Sequence, residues 1–393
     1  MRILFVTHQQ WLATAGAVGQ QVTLSEALAA LGVTVEHISG VEMGYQRAAN
    51  RVTRILHNPP AAAKAVRATR RVARHFDVVE GHQALLPLTA EQLGLRGVLA
   101  VRSAGIAQTY DAYLQADRAA NPSERPHVLA RLPRALQRRR ALEVARRSYE
   151  RADVAIALNA DEDRVLREIR RGRRVELMTI GLPGAKLERL RLAARSPGER
   201  LTAKRAVFVG YWSRRKGAED WPAILAETWR ADADVQFCFL GTGLADDSLA
   251  AKLGVDRREV GERVVNHPRF TPDELPDLMS CATVAVLPSY AEGYPVGTVE
   301  AAAAGVPTIA YDTIGARELP RRVPGDWLVQ AGDARSMAGL IAKTCQMSAG
   351  EFRGLAEHCQ RLASEHSWDR LAPQLLRIYE ETLEATPAVA RAR

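Results

Sequence analysis

The stretch that decides the fold runs from Val284 to Leu319 and reads VAVLPSYAEGYPVGTVEAAAAGVPTIAYDTIGAREL. Val284 to Leu287 is a short apolar run, the signature of a strand buried on both faces. Pro288 and Ser289 end it, and Glu292-Gly293-Tyr294-Pro295 is loop chemistry, with Gly and Pro as breakers. From about Val296 to Ala304 the residues predict an Ala-rich helix, Gly305 stops it, and Val306 to Ala310 starts a new strand. Strand, loop, helix and strand in succession make one unit of a parallel α/β sheet.

Two carboxylates mark this unit. Glu292 lies in the loop and Glu300 within the following helix, eight residues on, a little over two helical turns. A loop that leads straight into the helix lets both side chains project above the strand ends. Between them, Gly297 and Thr298 lie near the helix start, where free N–H groups and the positive end of the helix dipole suit a phosphate. Carboxylates only accept hydrogen bonds, so they suit the hydroxyls of a sugar or ribose. Phosphate in the middle with polyol at both ends describes a nucleotide-sugar. The same Glu pair could be solvated loop and helix-surface residues; the surrounding Pro-Ser, Glu-Gly and Gly-Val-Pro context weighs against that.

PSYAEGYPVGTVEAAAAGVPTIA resembles the E-x7-E signature of retaining GT-B glycosyltransferases, glycosyltransferase family 4. The resemblance implies that Glu292 contacts the transferred sugar and Glu300 the nucleotide ribose. It implies an α/β chain of two Rossmann-like domains facing across a cleft, acceptor mainly on the N-terminal side and donor on the C-terminal side. The match is dense over about forty residues.

Length and composition fit that expectation. A chain of 393 residues, 47% apolar, has room for two domains. The opening MRILFVTHQQW reads as a first strand rather than a signal peptide, and no apolar run reaches the length of about 18 residues that a membrane span needs. Cys238, Cys281, Cys345 and Cys359 show no metal-ligand spacing and read as reduced thiols of a cytoplasmic protein. Charge is uneven: residues 1–200 carry +13 and the remainder −4, with Arg clusters at 67–74, 131–147 and 164–174. Those clusters are either solvated helix faces or a surface that attracts nucleic acid, a phosphorylated acceptor or, as a peripheral contact at its inner face, an anionic membrane. No nucleic-acid motif is present.

Taken in order, Arg2 to Thr7 predicts the first strand, a loop with Gly16 and Gly19 follows, then a helix to about Leu31 and a second strand, Val33 to Ile38, as in a Rossmann-like opening. By the resemblance, Gly16 is the family's second loop glycine and approaches the donor. FDVVEGHQA is similar to the family's DVVHAH, with Glu80 in place of the first histidine and His82 matching the second. Ala104 stands where some members have a histidine. Gln108 to Pro126 reads as an acceptor loop or as disordered, Pro133 to Arg151 as a basic helix, and Pro387 onward as a frayed tail. Domain boundaries are expected at 1–183, a polar linker at 184–204, and 205–367, with a helix of about 368–393 packing back on the first domain. After the strand Ala206 to Val209 comes Gly210-Tyr211-Trp212-Ser213-Arg214-Arg215-Lys216-Gly217, where the family has Gly-Arg-Leu, three residues, Lys-Gly. Lys216 matches, Tyr211 occupies the arginine position, and Arg214 or Arg215 replaces the guanidinium that would clamp a diphosphate. Gly241 lies in a Gly-Thr-Gly turn that resembles one near the nucleotide. Asp232-Ala233-Asp234 precedes a strand and so lies at the wrong end for a metal.

The expected function is transfer of a sugar, with retention, from a nucleotide-diphosphate sugar to a sugar-bearing or other hydroxyl acceptor. No metal or other cofactor is called for. Lys216, Glu292 and His82 are the candidate catalytic residues. Gly16, Arg214, Arg215, Lys216, Gly241, Glu292, Gly293, Tyr294, Pro295, Val296, Gly297, Thr298 and Glu300 are the candidate donor-binding residues. A GT-B epimerase or phosphorylase, and a non-catalytic basic binding protein, are the alternatives.

Overall fold

The computed structural model describes residues 1–13, 16–44, 61–121 and 128–385. Pro122, Pro126 and the tail from Pro387 lie outside them, as does Ala15 in the first loop. The chain divides into two compact units, residues 1–182 with the segment from Trp368 onward, and residues 183–367.

Each unit is built on a six-stranded, wholly parallel sheet. The first holds β1 (Arg2–Val6), β2 (Thr34–Ile38), β3 (Val78–His82), β4 (Val98–Arg102), β5 (Val154–Ala157) and β6 (Val175–Leu177), in the order β2-β1-β3-β4-β5-β6. The second holds β7 (Arg205–Val209), β8 (Gln236–Leu240), β9 (Val264–His267), β10 (Ala282–Leu287), β11 (Thr308–Tyr311) and β12 (Leu328–Val329), in the order β12-β11-β10-β7-β8-β9. The central strands are near-continuous apolar runs, such as VLAVR in β4 and ATVAVL in β10, because helices cover both faces. Winding reverses between β1 and β3 in one sheet and between β7 and β10 in the other. At such switch points neighbouring connections leave to opposite faces, and a crevice opens above the carboxyl ends of the two strands.

In the first unit, alternate residues serve alternate faces. Leu4, Val6, Val79, Leu99 and Val101 pack with Leu86, Tyr149 and Leu166. Ile3, Phe5, Val78 and Val98 pack with Leu24 and Leu28 of the helix Gly16–Ala30 and with Trp368, Leu371, Leu375 and Tyr379 of the helix Trp368–Ala385. The last helix is therefore part of the first unit's core. It also closes a buried polar cluster. Glu80, fully buried in β3, receives Arg102 Nε at 2.8 Å and Nη2 at 3.0 Å, and the Tyr379 hydroxyl donates to its Oε2. Burial pulls the Arg102 guanidinium down, but the charge and hydrogen bonds of Glu80 outweigh it and raise it above its ordinary value.

Several expectations change. The linker expected at 184–204 is two helices of the second unit, Gly184–Ala193 and Pro197–Ala203. Ser196 and Glu199 form a capping box at the second of them. The Arg200 side chain, buried and pushed down to about 10, donates to the carbonyls of Ala282, Ala304 and Gly305 and so ties that helix to the sheet. The expected loop from Gln108 is a helix, Ala107–Ala120. The basic helix begins at Val128 rather than Pro133. Gly16 and Gly19 lie in the helix Gly16–Ala30, not in the loop before it. No helix among the described residues is long and apolar enough to cross a membrane.

The Glu80 cluster makes a prediction about stability. Removing one partner of a buried ion pair leaves an uncompensated charge and costs about 3–5 kcal/mol, whereas replacing both partners with apolar residues is often near neutral. Arg102→Met should therefore destabilise in urea far more than the double change Arg102→Met with Glu80→Leu. Equal losses in the two variants would mean that the pair is not desolvated as a unit.

Candidate active site

In the second unit the crevice lies above β7 and β10. The segment after β7 is a 3-10 turn, Arg214–Lys216, closed by Gly217. Gly217 has φ +72°, and a Cβ there would stand 2.2 Å from the carbonyl oxygen of Pro288, so only glycine lets this turn press against the loop after β10. Gly315, with φ +74°, does the same from the β11 side, against the carbonyls of Glu292 and Gly293. Asp220 completes the frame: its Oδ2 accepts the hydroxyls of Tyr290 and Tyr311, each at 2.8 Å.

This frame holds Glu292 between two cations. Lys216 Nζ lies 2.8 Å from its Oε1 and Arg215 Nη1 2.9 Å from its Oε2, and Arg215 Nη1 also donates to the Ala291 carbonyl at 2.6 Å. Burial acts to raise the Glu292 carboxyl, but the Lys216 and Arg215 charges outweigh it and hold it below its ordinary value. Of the two arginines considered in place of the family's guanidinium, Arg215 reaches Glu292, while Arg214 pairs with Glu219. Tyr211 is largely exposed, beside Gly243 of the turn after β8.

The helix Val296–Ala303 starts against β7, where a Cβ on Gly297 would be 3.5 Å from Val209 Cβ. Pro295 precedes its first residue, Val296. The Thr298 hydroxyl turns back to the Pro295 carbonyl at 2.7 Å, and the buried Tyr294 hydroxyl lies 3.3 Å from His366 Nε2. Both side chains are engaged in holding the loop, as is the Thr298 N–H, which is donated to the Pro295 carbonyl at 3.1 Å. Glu300 is nearly buried and paired with Lys186 at 2.5 Å. Gly241 follows β8 in a left-handed turn, its N–H on the His267 carbonyl at 2.8 Å. Asp232 and Asp234 pair with Lys204 ahead of β8.

In the first unit the switch point has Gly16, exposed at its helix start, and His82, which ends β3 and is only 5% exposed. Burial lowers the His82 imidazole to about 4; Glu80 draws it up, and His8 and Arg102 press it further down. At neutral pH it is an uncharged ring that can accept or donate one hydrogen bond.

Lys186, Asp220 and His366 were not singled out from the sequence. Lys186 carried no signal, because the stretch around it reads as a linker. Asp220 and His366 act on tyrosines 70 to 91 residues away, which no local pattern reveals.

Two doubly wound parallel units in one chain, each with chemistry at its switch point, define the fold of the GT-B glycosyltransferase structures. The chain resembles sucrose-phosphate synthase from Thermosynechococcus elongatus with a TM-score of 0.72 and 18% identity, covering 98% of this chain and 100% of that one. It resembles Anabaena HepE in complex with UDP-glucose with a TM-score of 0.62 and 17% identity, over 97% and 100% of the two chains. Residues 203–346 match the family Glycosyl transferases group 1. D-inositol 3-phosphate glycosyltransferase of Salinispora tropica is 34% identical over 139 residues, 34% of this chain and 27% of that protein. The matched stretch thus spans about a quarter of that relative's length.

The His82 environment predicts a pH effect. Its folded value lies below the ordinary 6.5, so the unfolded chain takes up the proton first. Stability should fall as pH drops from about 6.5 through about 4, with a contribution on the order of 3 kcal/mol. His82→Gln should flatten that part of a urea-stability profile by up to one proton. An unchanged slope would show that the imidazole does not fold uncharged.

Proposed function

We propose that this protein is a retaining glycosyltransferase of the family 4 kind, with Glu292 and Glu300 as its E-x7-E pair. It moves a sugar from a nucleotide-diphosphate donor to a hydroxyl acceptor. The observation that carries the reading is Glu292 held between Lys216 and Arg215 at the switch point of the second sheet, beside the start of the helix that bears Glu300. A structural neighbour supports a nucleotide-sugar: HepE was solved with UDP and with UDP-glucose.

In this reading the donor diphosphate lies over the turn Arg214–Lys216 and the start of the helix Val296–Ala303. Glu292 accepts hydroxyls of the transferred sugar and Glu300 those of the ribose. Without substrate, Glu292 neutralises the two cations. With the donor in place they face the diphosphate, whose charge grows as the bond to the anomeric carbon breaks. They stabilise that charge more in the transition state than in the ground state. The acceptor oxygen forms its bond on the same face, and its proton passes to the departing phosphate oxygen. The first unit binds the acceptor, with His82 as a neutral hydrogen-bonding group.

In this reading the protein works in the cytoplasm, and its Arg-rich helices are solvated. On the helix Val128–Arg151, Arg146 and Arg147 pair with Glu143, and Arg138 pairs with Asp111. Local pairing of this kind lowers the field available to an anionic membrane surface.

The test is a hydrolysis and transfer screen across UDP-, GDP-, ADP- and dTDP-sugars, with the product anomer read by NMR. Lys216→Ala should lower kcat by about 100- to 1000-fold while donor affinity changes much less. Lys216→Arg should not restore it, since guanidinium differs in reach and geometry. Normal turnover in a double change, Lys216→Ala with Arg215→Ala, would show that this turn does not hold the diphosphate.

A further inference from the structure

Lys186 lies in the first turn of the helix Gly184–Ala193, its backbone N–H bonded to the Pro183 carbonyl at 2.9 Å. Its ammonium reaches across to Glu300 Oε1 at 2.5 Å. Among the described residues this is the one side-chain hydrogen bond that the Glu300 carboxylate accepts; Oε2 takes none. The Glu300 side chain is 9% exposed, so the carboxylate is mostly out of water, while the Lys186 side chain keeps 24% exposure. An ammonium has three donors, and Glu300 uses one.

We propose that Lys186 is a positioning and specificity-determining residue of the donor site, pairing with Glu300 to read a ribose hydroxyl in both of its roles. The proposal rests on the reading of Glu300 as a ribose acceptor. A hydroxyl donates one hydrogen bond and accepts others. Glu300 Oε2 receives the hydroxyl proton, and a second N–H of Lys186 is donated to the hydroxyl oxygen. A lone carboxylate would serve half of this. A nucleotide lacking the hydroxyl leaves the carboxylate oxygen and the ammonium N–H without that partner, and a site built to bond a hydroxyl binds the deoxy analogue more weakly. A second consequence is orientation. The pair spans two helices, so Lys186 fixes the direction in which the Glu300 carboxylate points. An ion pair kept for stability alone would be a poor use of this position, because partly exposed pairs add little.

The experiment is calorimetric titration of the full chain with UDP, GDP and ADP, then of the tightest binder's 2′-deoxy and 3′-deoxy forms. In the wild-type protein at least one deoxy form should bind about tenfold more weakly, the worth of a hydrogen bond of about 1.4 kcal/mol. Lys186→Met should weaken the ribonucleotide by about tenfold and bring the deoxy forms level with it, to within about twofold. Lys186→Arg, which keeps charge and donors, should retain most of the discrimination. Combining Lys186→Met with Glu300→Gln should add little to Glu300→Gln alone, because the two residues act as one. Should Lys186→Met melt early, Lys186→Gln carries the same reading. Undiminished discrimination in a folded variant overturns the proposal, whether ribonucleotide affinity falls or not, and leaves the donor site itself standing. Additive losses in the double variant overturn it as well. A wild-type protein that binds none of the three nucleotides removes the donor-site reading, and the role of Lys186 with it.

Discussion

A parallel sheet that reverses its winding cannot cover the ends of the two strands where it reverses. Connections leave β7 toward one face and β10 toward the other, so the space above their carboxyl ends must be filled by loops, solvent or a ligand. The chemistry of the second unit follows from this constraint. The turn after β7 supplies cations and the loop after β10 supplies Glu292. Two left-handed glycines let the backbones meet closely enough for an ion pair to form. The Asp220 carboxylate, shared by two tyrosines, fixes the distance between the loops. Without the reversal these groups would lie on separate strands with no common space.

Glu292 and Glu80 show how differently a buried carboxylate can be used. Both are nearly sealed from water and both meet an arginine. Glu80 has its arginine bidentate and a phenol as well, deep in β3, so its acceptor capacity is largely used and its role is to hold the last helix to the sheet. Glu292 sits at a strand end between two different cations whose side chains keep 17% and 31% exposure. Its pairing can be exchanged for a substrate without unpacking a core. Position relative to the strand ends, not pairing as such, separates the structural carboxylate from the functional one.

Much of this was legible in the sequence. The strands were, because a parallel sheet covered on both faces leaves apolar runs such as VAVL and AVFV that need no partner to be seen. The Glu292–Glu300 spacing was legible because loop and helix start are local. What failed was tertiary. The segment 184–204 was read as a linker from its charge and its Ser-Pro-Gly, yet Ser196 with Glu199 three residues on is the start signal of a helix, and Arg200 finds its carbonyls 82 to 105 residues away. The helix Ala107–Ala120 has no fully buried residue, so it left little apolar periodicity to detect. Arg215 could not be chosen over Arg214, since the two are adjacent and the turn alone decides which one faces Glu292. Glu80 stood out as a departure from the family pattern, but its phenol partner lies 299 residues downstream.

The placement of the last helix also sets an order of events on the ribosome. Strands β1 to β6 emerge before the second unit, but the face made by Ile3, Phe5, Val78 and Val98 is covered only in part by the helix Gly16–Ala30, and the rest of its cover follows the entire second unit. Until Trp368 to Tyr379 leave the exit tunnel, part of that apolar face and one side of Glu80 have no permanent cover. The second unit, contiguous in sequence, can complete its own core meanwhile. At synthesis rates of about 5–20 residues per second, the first unit waits on the order of ten seconds or more for its closing helix. In that interval the nascent chain presents a surface suited to holdase chaperones, and a stop codon placed after the second unit would free one finished domain tethered to an unfinished one.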